Sequence, residues 1–342
     1  VKGVEKLKTA QPYMLTGVVL LISIPAFLAT TKRNPQWKND FTLFTTDADV
    51  HPNSALCNGN AGSQYMNYAL WFLGRDTIIQ KDTMINNQKK IVFDTIHKFG
   101  RDTVKVHYYA RIANKFLLRA TKTHKKYVNG FLNLGLTYYY QEQYGLAAEA
   151  WGHAYQHFST NATLLQYQQM LVDQADVRAA KKDFRGAAQF MGYAAMAVPG
   201  DQKAWSDYGG ASFMVKDFSS AVQAFNQAMY VIEQKIPPQQ RAGNTANVTD
   251  LQNQERQLQA GYRASLHNEK CLKAWVKDST NADSTIVLAN AYMGTPDFFP
   301  ESKRLLNKAL VLRPNDKRAL FLLDSLSGLE EKQKKLQAPP IK

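Results

Sequence analysis

Small and aromatic residues recur at matching places along the middle of the chain, and this repetition limits the possible folds more than any other feature. Within a 34-residue frame starting at Val128 they lie on one face of a first helical segment and then of a second. The order returns in a frame starting at Gln202, and a frame starting at Gln168 is a degenerate copy. The recurring positions of the first and third frames are Phe131, Leu134, Gly135, Tyr138, Ala147, Trp151, Ala154, Trp205, Gly209, Ala221, Phe225 and Ala228. Their spacing predicts consecutive helical hairpins.

The recurring positions follow the pattern W-x-x-L-G-x-x-Y and then A-x-x-x-F-x-x-A, so the chain resembles the tetratricopeptide repeat (TPR) family. Glycine or alanine lets two helices cross closely, and a ring fills the gap where they separate. One hairpin cannot bury its apolar face alone, whereas stacked hairpins can. We therefore expect an all-α fold, a TPR-type α-solenoid, with Trp151 and Phe225 in its core.

An uncharged apolar segment, Pro12–Thr30, precedes the repeats. At about 1.5 Å per residue it nearly spans a hydrocarbon core of about 30 Å, so it predicts a single transmembrane helix in contact with lipid. A signal peptide is the alternative, because Lys2, Lys6 and Lys8 form a basic start. The length of the run and the lack of a small-x-small cleavage site after Ala29 favour a retained helix. Since the chain starts with Val, we expect this helix to be the last span of a longer protein.

The remaining sequence divides by composition and turn signals. The predicted segments are a helix with its flank (1–31), a junction (32–52), a first hairpin with a helical insertion (53–127), repeats (128–235), a linker with a degenerate hairpin (236–282), a C-terminal repeat (283–330) and a basic tail (331–342). The insertion is assigned to the polar residues 72–103, and the linker to the turn-rich residues 236–252. In the C-terminal repeat, Leu306, Ala309 and Pro314 restore the second-helix pattern.

The junction carries a more specific signal in the stretch RNPQWKNDFTLFTTDADVHPNSA. Its distinguishing residues are Asn34, Trp37, Asn39, Asp40, Leu43, Phe44, Asp47, Pro52 and Ser54. This stretch resembles the junction of multi-spanning protein O-mannosyltransferase-like (GT-C type) proteins that end in tetratricopeptide repeats. The resemblance implies a parent enzyme with a lipid-linked sugar donor and with catalytic acidic residues between early membrane helices, so no catalytic residue is assigned in this chain. It also implies that the repeats lie on the periplasmic or lumenal side.

Composition and motifs argue against several classes of function. The net charge is +14, but the basic residues are spread along the chain, as on solvated helices rather than a nucleic-acid arm. No phosphate-binding glycine loop or nucleophile elbow occurs. His153 and His157 have the spacing of a shared metal but no evident third ligand, and Asp47, Asp49 and His51 fit a helix-capping junction better than a metal site. We expect no metal, cofactor, nucleic acid or catalysis by this chain itself.

Residues of the first helices that point toward the predicted concave surface are candidates for binding, because ligands commonly dock there. The groove candidates are Asn129, Tyr139, Tyr140, Lys203 and Phe213. Tyr139 and Tyr140 suit stacking on an extended peptide or a sugar, with packing between hairpins as the alternative. The sequence predicts a membrane-anchored scaffold that binds a protein or peptide. The alternative is the C-terminal part of a lipid-linked-sugar-dependent protein glycosyltransferase.

Overall fold

The computed structural model describes residues 2–73, 77–85, 88–96 and 102–337, and the side chains of 15–73 and 102–337. The chain forms two compact units, Val1–Phe158 and Ser159–Lys342. Within each unit, consecutive helices pack against their neighbours in the chain as helical hairpins. The predicted α-solenoid of TPR type is confirmed, and the described residues depart from an all-α fold in one β-hairpin.

The first unit starts with a long helix, α1 (Lys2–Arg33). Within Leu15–Lys38, an 18-residue window has a mean hydropathy of 1.7, and none of that window is buried. This helix is therefore long and apolar enough to cross a membrane, by length and composition.

The junction is a short capped helix rather than an extended linker. Residues Asn34–Lys38 form one 3₁₀ segment, and α2 (Asp40–Val50) follows. The Asn39 side chain accepts a hydrogen bond from the Thr42 N–H at 2.9 Å, which satisfies an amide that helix formation leaves unpaired. Asp47 pairs with Arg33 at 2.9 Å. Two of the distinguishing junction residues thus have structural roles.

The first hairpin pairs α3 (Ala55–Trp71) with α4 (Thr103–Thr123). The helical insertion predicted between them is wrong for the described residues, which form an antiparallel β-hairpin of β1 (Thr77–Ile85) and β2 (Gln88–Ile96). Both strands are rich in β-branched residues, and Asn86 and Asn87 separate them in the sequence. This composition favours a strand–turn–strand unit over a helix.

The frame starting at Val128 matches a hairpin of α5 (Val128–Tyr140) and α6 (Tyr144–His157). Trp151 is fully buried, and its indole Nε1 donates a hydrogen bond to the Leu132 carbonyl at 3.1 Å. A Cβ atom at Gly135 would collide with this indole. Glycine is therefore required where the ring of α6 rests on the backbone of α5.

The second unit starts with α7 (Ala162–Ala180) and α8 (Phe184–Ala197), so the frame placed at Gln168 begins inside a helix. The helix α7 has 19 residues against 13 in α5, and the added residues lie at its start. Asn161 caps this earlier start through the Thr163 N–H at 2.9 Å. Gln168 is buried but donates hydrogen bonds to the Ala194 carbonyl at 3.3 Å and to Asp201 at 3.0 Å, which allows a polar residue inside the pair.

The hairpin α9 (Gln202–Met214) and α10 (Phe218–Arg241) repeats the close crossing of the first unit. A Cβ atom at Gly209 would lie 2.8 Å from the Phe225 ring. At the adjacent Gly210, a Cβ atom would meet nothing within 4 Å. Only Gly209 is therefore needed for close approach.

The linker predicted over 236–252 is wrong, because α10 continues to Arg241 and only residues 242–244 separate it from α11 (Thr245–Lys277). The degenerate hairpin predicted there is replaced by this single 33-residue helix. Ile236 and Leu251, on either side of the turn, pack against one apolar cluster with Ile232 and Leu258. This packing keeps α10 helical through Pro237 and Pro238, which by themselves favour a helix end.

The C-terminal helices are α12 (Ala282–Tyr292), a 3₁₀ turn (Pro296–Phe298), α13 (Phe299–Leu312) and α14 (Lys317–Gln337). Leu306 and Ala309 are buried in α13. The predicted basic tail is helical as far as Gln337, and residues 338–342 lie outside the described part of the chain.

Three hairpins share a three-residue turn whose middle residue has a left-handed backbone. These residues are Glu142 (φ 61°), Lys182 (φ 63°) and Lys216 (φ 65°). A residue with a Cβ atom is strained at such an angle by about 1–2 kcal/mol, whereas glycine is not.

We predict that Glu142→Gly raises the stability of the chain by up to about 1 kcal/mol, because it removes this strain at an exposed position. Thermal unfolding of the detergent-purified chain, followed by circular dichroism, measures the change. Glu142→Ala keeps the Cβ atom and serves as the control. Equal melting temperatures for the two variants would contradict the strain argument.

The two adjacent glycines of α9 give a matched pair. Gly209→Ala must displace the Phe225 ring and should destabilise the protein by roughly 1–3 kcal/mol. Gly210→Ala meets open space and should stabilise the helix by up to about 1 kcal/mol. The sign of the two melting-temperature changes tests the crossing, and a rise for both variants would refute it.

Candidate functional site

The five groove residues predicted from the sequence fall in two compact units. Asn129, Tyr139 and Tyr140 lie in the first unit, and Lys203 and Phe213 lie in the second. The Tyr139 ring makes edge contacts with Tyr140 at 5.4 Å and with Tyr144 at 5.3 Å, and lies 6.1 Å from Trp151. Tyr139 thus takes part in packing within its own hairpin.

Phe213 also has a packing role, and its assignment as a ligand-binding ring stays a prediction. Its ring stacks on Phe298 at 5.5 Å and meets Phe218 edge-on at 5.3 Å, next to the C-terminal apolar cluster. Lys203 is exposed and bound to Asp207 at 2.5 Å, an ion pair that raises the pKa of the lysine. Asn129 is exposed on α5.

A groove of about 830 Å³, which we call the α7–α9 groove, opens elsewhere in the second unit between α7, α8 and α9. Small side chains provide its space, and five alanines line it: Ala175, Ala179, Ala187, Ala188 and Ala211. Because alanine carries only a methyl group, the helices leave room between them that larger side chains would fill.

Large apolar side chains line the same groove. Phe184 is 59% exposed and Met214 is 46% exposed, while Met191 is half-buried beside them. Phe184 opens α8 at the position that Phe218 holds in α10, where the ring is fully covered by its neighbours. A ring that is buried in one hairpin is therefore exposed in the other, next to a flexible methionine that adapts to different surfaces.

Charged groups of both signs surround the apolar surface of the groove. Asp176 and Asp297 contribute carboxylates, and Lys182 and Arg185 contribute cations. Asp183 has a structural task, because it accepts a hydrogen bond from the Gly186 N–H at 2.9 Å and pairs with Arg178 at 3.2 Å. The Gly186 N–H, more than Arg178, holds the pKa of this carboxyl below its usual range.

The groove lies where the repeat departs from its own pattern. Gly135 and Trp151 occupy the eighth and twenty-fourth positions of the first frame, and Gly209 and Phe225 occupy the same positions of the third. In the frame starting at Gln168 these positions hold Ala175 and Met191, and both line the groove. The two residues that replace the glycine–ring contact of the other hairpins therefore border the groove.

The sequence contained this signal, although the five groove candidates do not include it. The frame starting at Gln168 is recognisable as degenerate. A weak match to a repeat pattern does not by itself distinguish ordinary sequence divergence from a binding site. The exposure of Phe184 depends on what packs above α8, which sequence periodicity does not reveal.

The histidine pair considered as a metal site has a packing contact instead. His153 lies 5.3 Å from the Phe131 ring. Among the residues that the structure describes, no group of three His, Cys, Asp or Glu side chains is placed to hold a metal ion.

Comparison with known proteins finds no matching family model and no matching curated protein. Among solved structures, the chain is similar to YrrB, "a TPR protein with an unusual peptide-binding site", at 12% identity and a TM-score of 0.24, over 82% of this chain and 96% of that one. It is similar to the C-terminal part of a TPR repeat-containing protein from Cytophaga hutchinsonii at 17% identity and a TM-score of 0.26, over 82% and 92% of the two chains. It is also similar to a chain of the APC/C hetero-tetramer Cut9-Hcn1, at 12% identity and a TM-score of 0.25, over 92% of this chain and 51% of that one. This chain thus spans about half the length of that relative.

Superpositions with TM-scores this low carry no weight for fold or function. The hairpins, the three-residue turns and the glycine–ring crossings of the chain itself define it as a tetratricopeptide-type α-solenoid.

Proposed function

We propose that this chain is a membrane-anchored, non-catalytic scaffold whose α7–α9 groove binds a peptide segment of a protein partner. The observation that carries the proposal is the replacement of the glycine–ring contact by Ala175 and Met191, which opens the groove. The exposed rings and methionines supply apolar contact area, and the surrounding charges supply specificity. The ligand expected from this lining is a peptide with one or two large apolar side chains between charges of both signs.

The anchoring half of the proposal is supported by α1. Residues 15–31 are uncharged, largely apolar, helical and exposed, which costs free energy in water and is relieved in a bilayer. In the proposal the repeats lie on the periplasmic or lumenal side.

The role of the groove in peptide binding is tested by restoring the glycine–ring contact found in the other two hairpins. We predict that Ala175→Gly combined with Met191→Phe fills the groove and weakens peptide binding by at least about tenfold, a change of about 1.4 kcal/mol. Peptides are selected from a display library on the full chain in lipid nanodiscs, and their affinities are measured by fluorescence anisotropy. The melting temperature should not fall, because the added ring is buried as Phe225 is in its own hairpin. Loss of binding at retained stability cannot be ascribed to unfolding.

Two controls locate the binding site. Val276→Ser changes a side chain that is 68% exposed and does not line the groove, so it should leave the affinity unchanged. Lys203→Ala removes an exposed groove candidate of the sequence analysis. Full affinity in the filled variant would reject the α7–α9 groove, and a loss caused by Lys203→Ala would favour the groove predicted from sequence.

A second candidate function is the C-terminal part of a protein glycosyltransferase that uses a lipid-linked sugar. It is supported by the resemblance of the junction around Trp37, and the comparisons with known proteins add nothing to it. Coding sequence upstream of Val1 with several further spans and an acidic loop would support this candidate. An initiating Met directly before Val1 would contradict it.

A further inference from the structure

We propose that the first hairpin of the first unit binds the bilayer surface through an aromatic end, formed by Trp37, Tyr68, Trp71, Val104 and Tyr108, and that this end takes up anionic phospholipid headgroups. The inference rests on the proposed anchoring by α1. It adds a second membrane contact, made by the repeat region itself.

The end of α1 contacts the segment that precedes α2 and the last turn of α2. Arg33, the last residue of α1, pairs with Asp47 at 2.9 Å, and its guanidinium lies 6.0 Å from the centre of the Trp37 ring. The short 3₁₀ segment Asn34–Lys38 connects the two helices. Because this segment has only five residues, the start of α2 lies close to the end of α1.

Because α2 and α3 run antiparallel, the end of α3 lies beside the start of α2. Phe41, in the first turn of α2, contacts Tyr65 at 4.9 Å and Tyr68 at 5.3 Å, both near the end of α3. The start of α4 joins them, because Phe72 stacks on Tyr109 at 5.5 Å. The end of α3 and the start of α4 thus lie close to the membrane end of α1.

The aromatic end exposes an unusual amount of apolar surface. Trp37 is 65% exposed, Trp71 is 55%, Val104 is 78% and Tyr108 is 58%. Tryptophan and tyrosine, which combine an apolar ring with a polar N–H or O–H group, are enriched where membrane proteins cross the headgroup layer. Both the position of these side chains near the end of α1 and their residue types therefore favour contact with the headgroup layer.

The charges at this end favour anionic lipid. Lys32, Arg33 and Lys38 lie at the end of α1 and in the turn after it, and Lys105 and Arg111 lie on α4. Of the nearby carboxylates, Asp47 pairs with Arg33 and Asp102 with Lys105 at 3.2 Å, and Asp40 in the first turn of α2 is exposed. The five basic residues outnumber these three carboxylates. A recess of about 380 Å³ lined by Thr103, Val104, His107, Tyr108 and Arg111 places a cation beside exposed apolar side chains, as a phospholipid headgroup and its glycerol require.

The experiment places a fluorescent probe at three positions of the full chain, after Cys57→Ser and Cys271→Ser remove the native thiols. Val104→Cys probes the aromatic end, Gly17→Cys probes α1, and Leu56→Cys, 62% exposed at the opposite end of α3, is the matched control. Each labelled protein is reconstituted into vesicles of phosphatidylcholine and phosphatidylglycerol that carry nitroxide lipids. Circular dichroism of each labelled protein should show unchanged helicity.

We expect lipid quenching at positions 17 and 104 and about threefold less at position 56, because only the aromatic end reaches the headgroups. Trp71→Ser with Tyr108→Ser, or vesicles without phosphatidylglycerol, should reduce quenching at position 104 but not at position 17. Quenching at 17 without quenching at 104, or equal quenching at 104 and 56, overturns the proposal while anchoring stands. The absence of quenching at 17 would reject the anchoring and this inference with it.

Discussion

The contact between a glycine of one helix and a ring of the next sets the spacing of the helices in this protein. At Gly135 and Gly209 the missing side chain lets the ring of Trp151 or Phe225 lie directly on the helix backbone. The indole also bonds the Leu132 carbonyl, so the polar group of the largest core side chain is satisfied. A three-residue turn with a left-handed middle residue brings the ring back over the glycine in each case. Helix spacing, turn geometry and core packing are therefore parts of a single arrangement.

The proposed binding groove follows from a departure from this arrangement. Where Ala175 and Met191 replace the glycine and the ring, the helices α7, α8 and α9 enclose a space that is not filled from within. Alanine prevents the closest approach of the helices, and methionine is too thin to replace an indole or a phenyl ring. A hairpin can thus acquire a groove by losing core packing while its helices and turn stay in place.

Much of the fold could be predicted from the sequence, because small and aromatic residues at fixed spacing report directly on helix crossings. The hairpin of α5 and α6 begins where its frame begins, at Val128. Predictions failed where long-range packing outweighed local preference. Ile236 and Leu251 pack together on either side of a turn and keep α10 helical through its two prolines. Gln168 is kept inside α7 by partners 26 and 33 residues away. The groove was missed for a similar reason, since the exposure of Phe184 depends on neighbours distant in the sequence.

The hairpin of α7 and α8 has Met191 where the other two hairpins have a buried ring, and other contacts stabilise it. Its first helix is six residues longer than α5 or α9, with 19 residues against 13, which adds buried area through Leu164. Gln168 bridges Ala194 and Asp201 from a buried position, and the guanidinium of Arg178 lies 4.6 Å from the centre of the Phe190 ring. Polar and cation–π contacts of this kind hold the hairpin together away from the alanine-lined surface. Gln168 and Arg178 thus stabilise the hairpin although its groove is not filled.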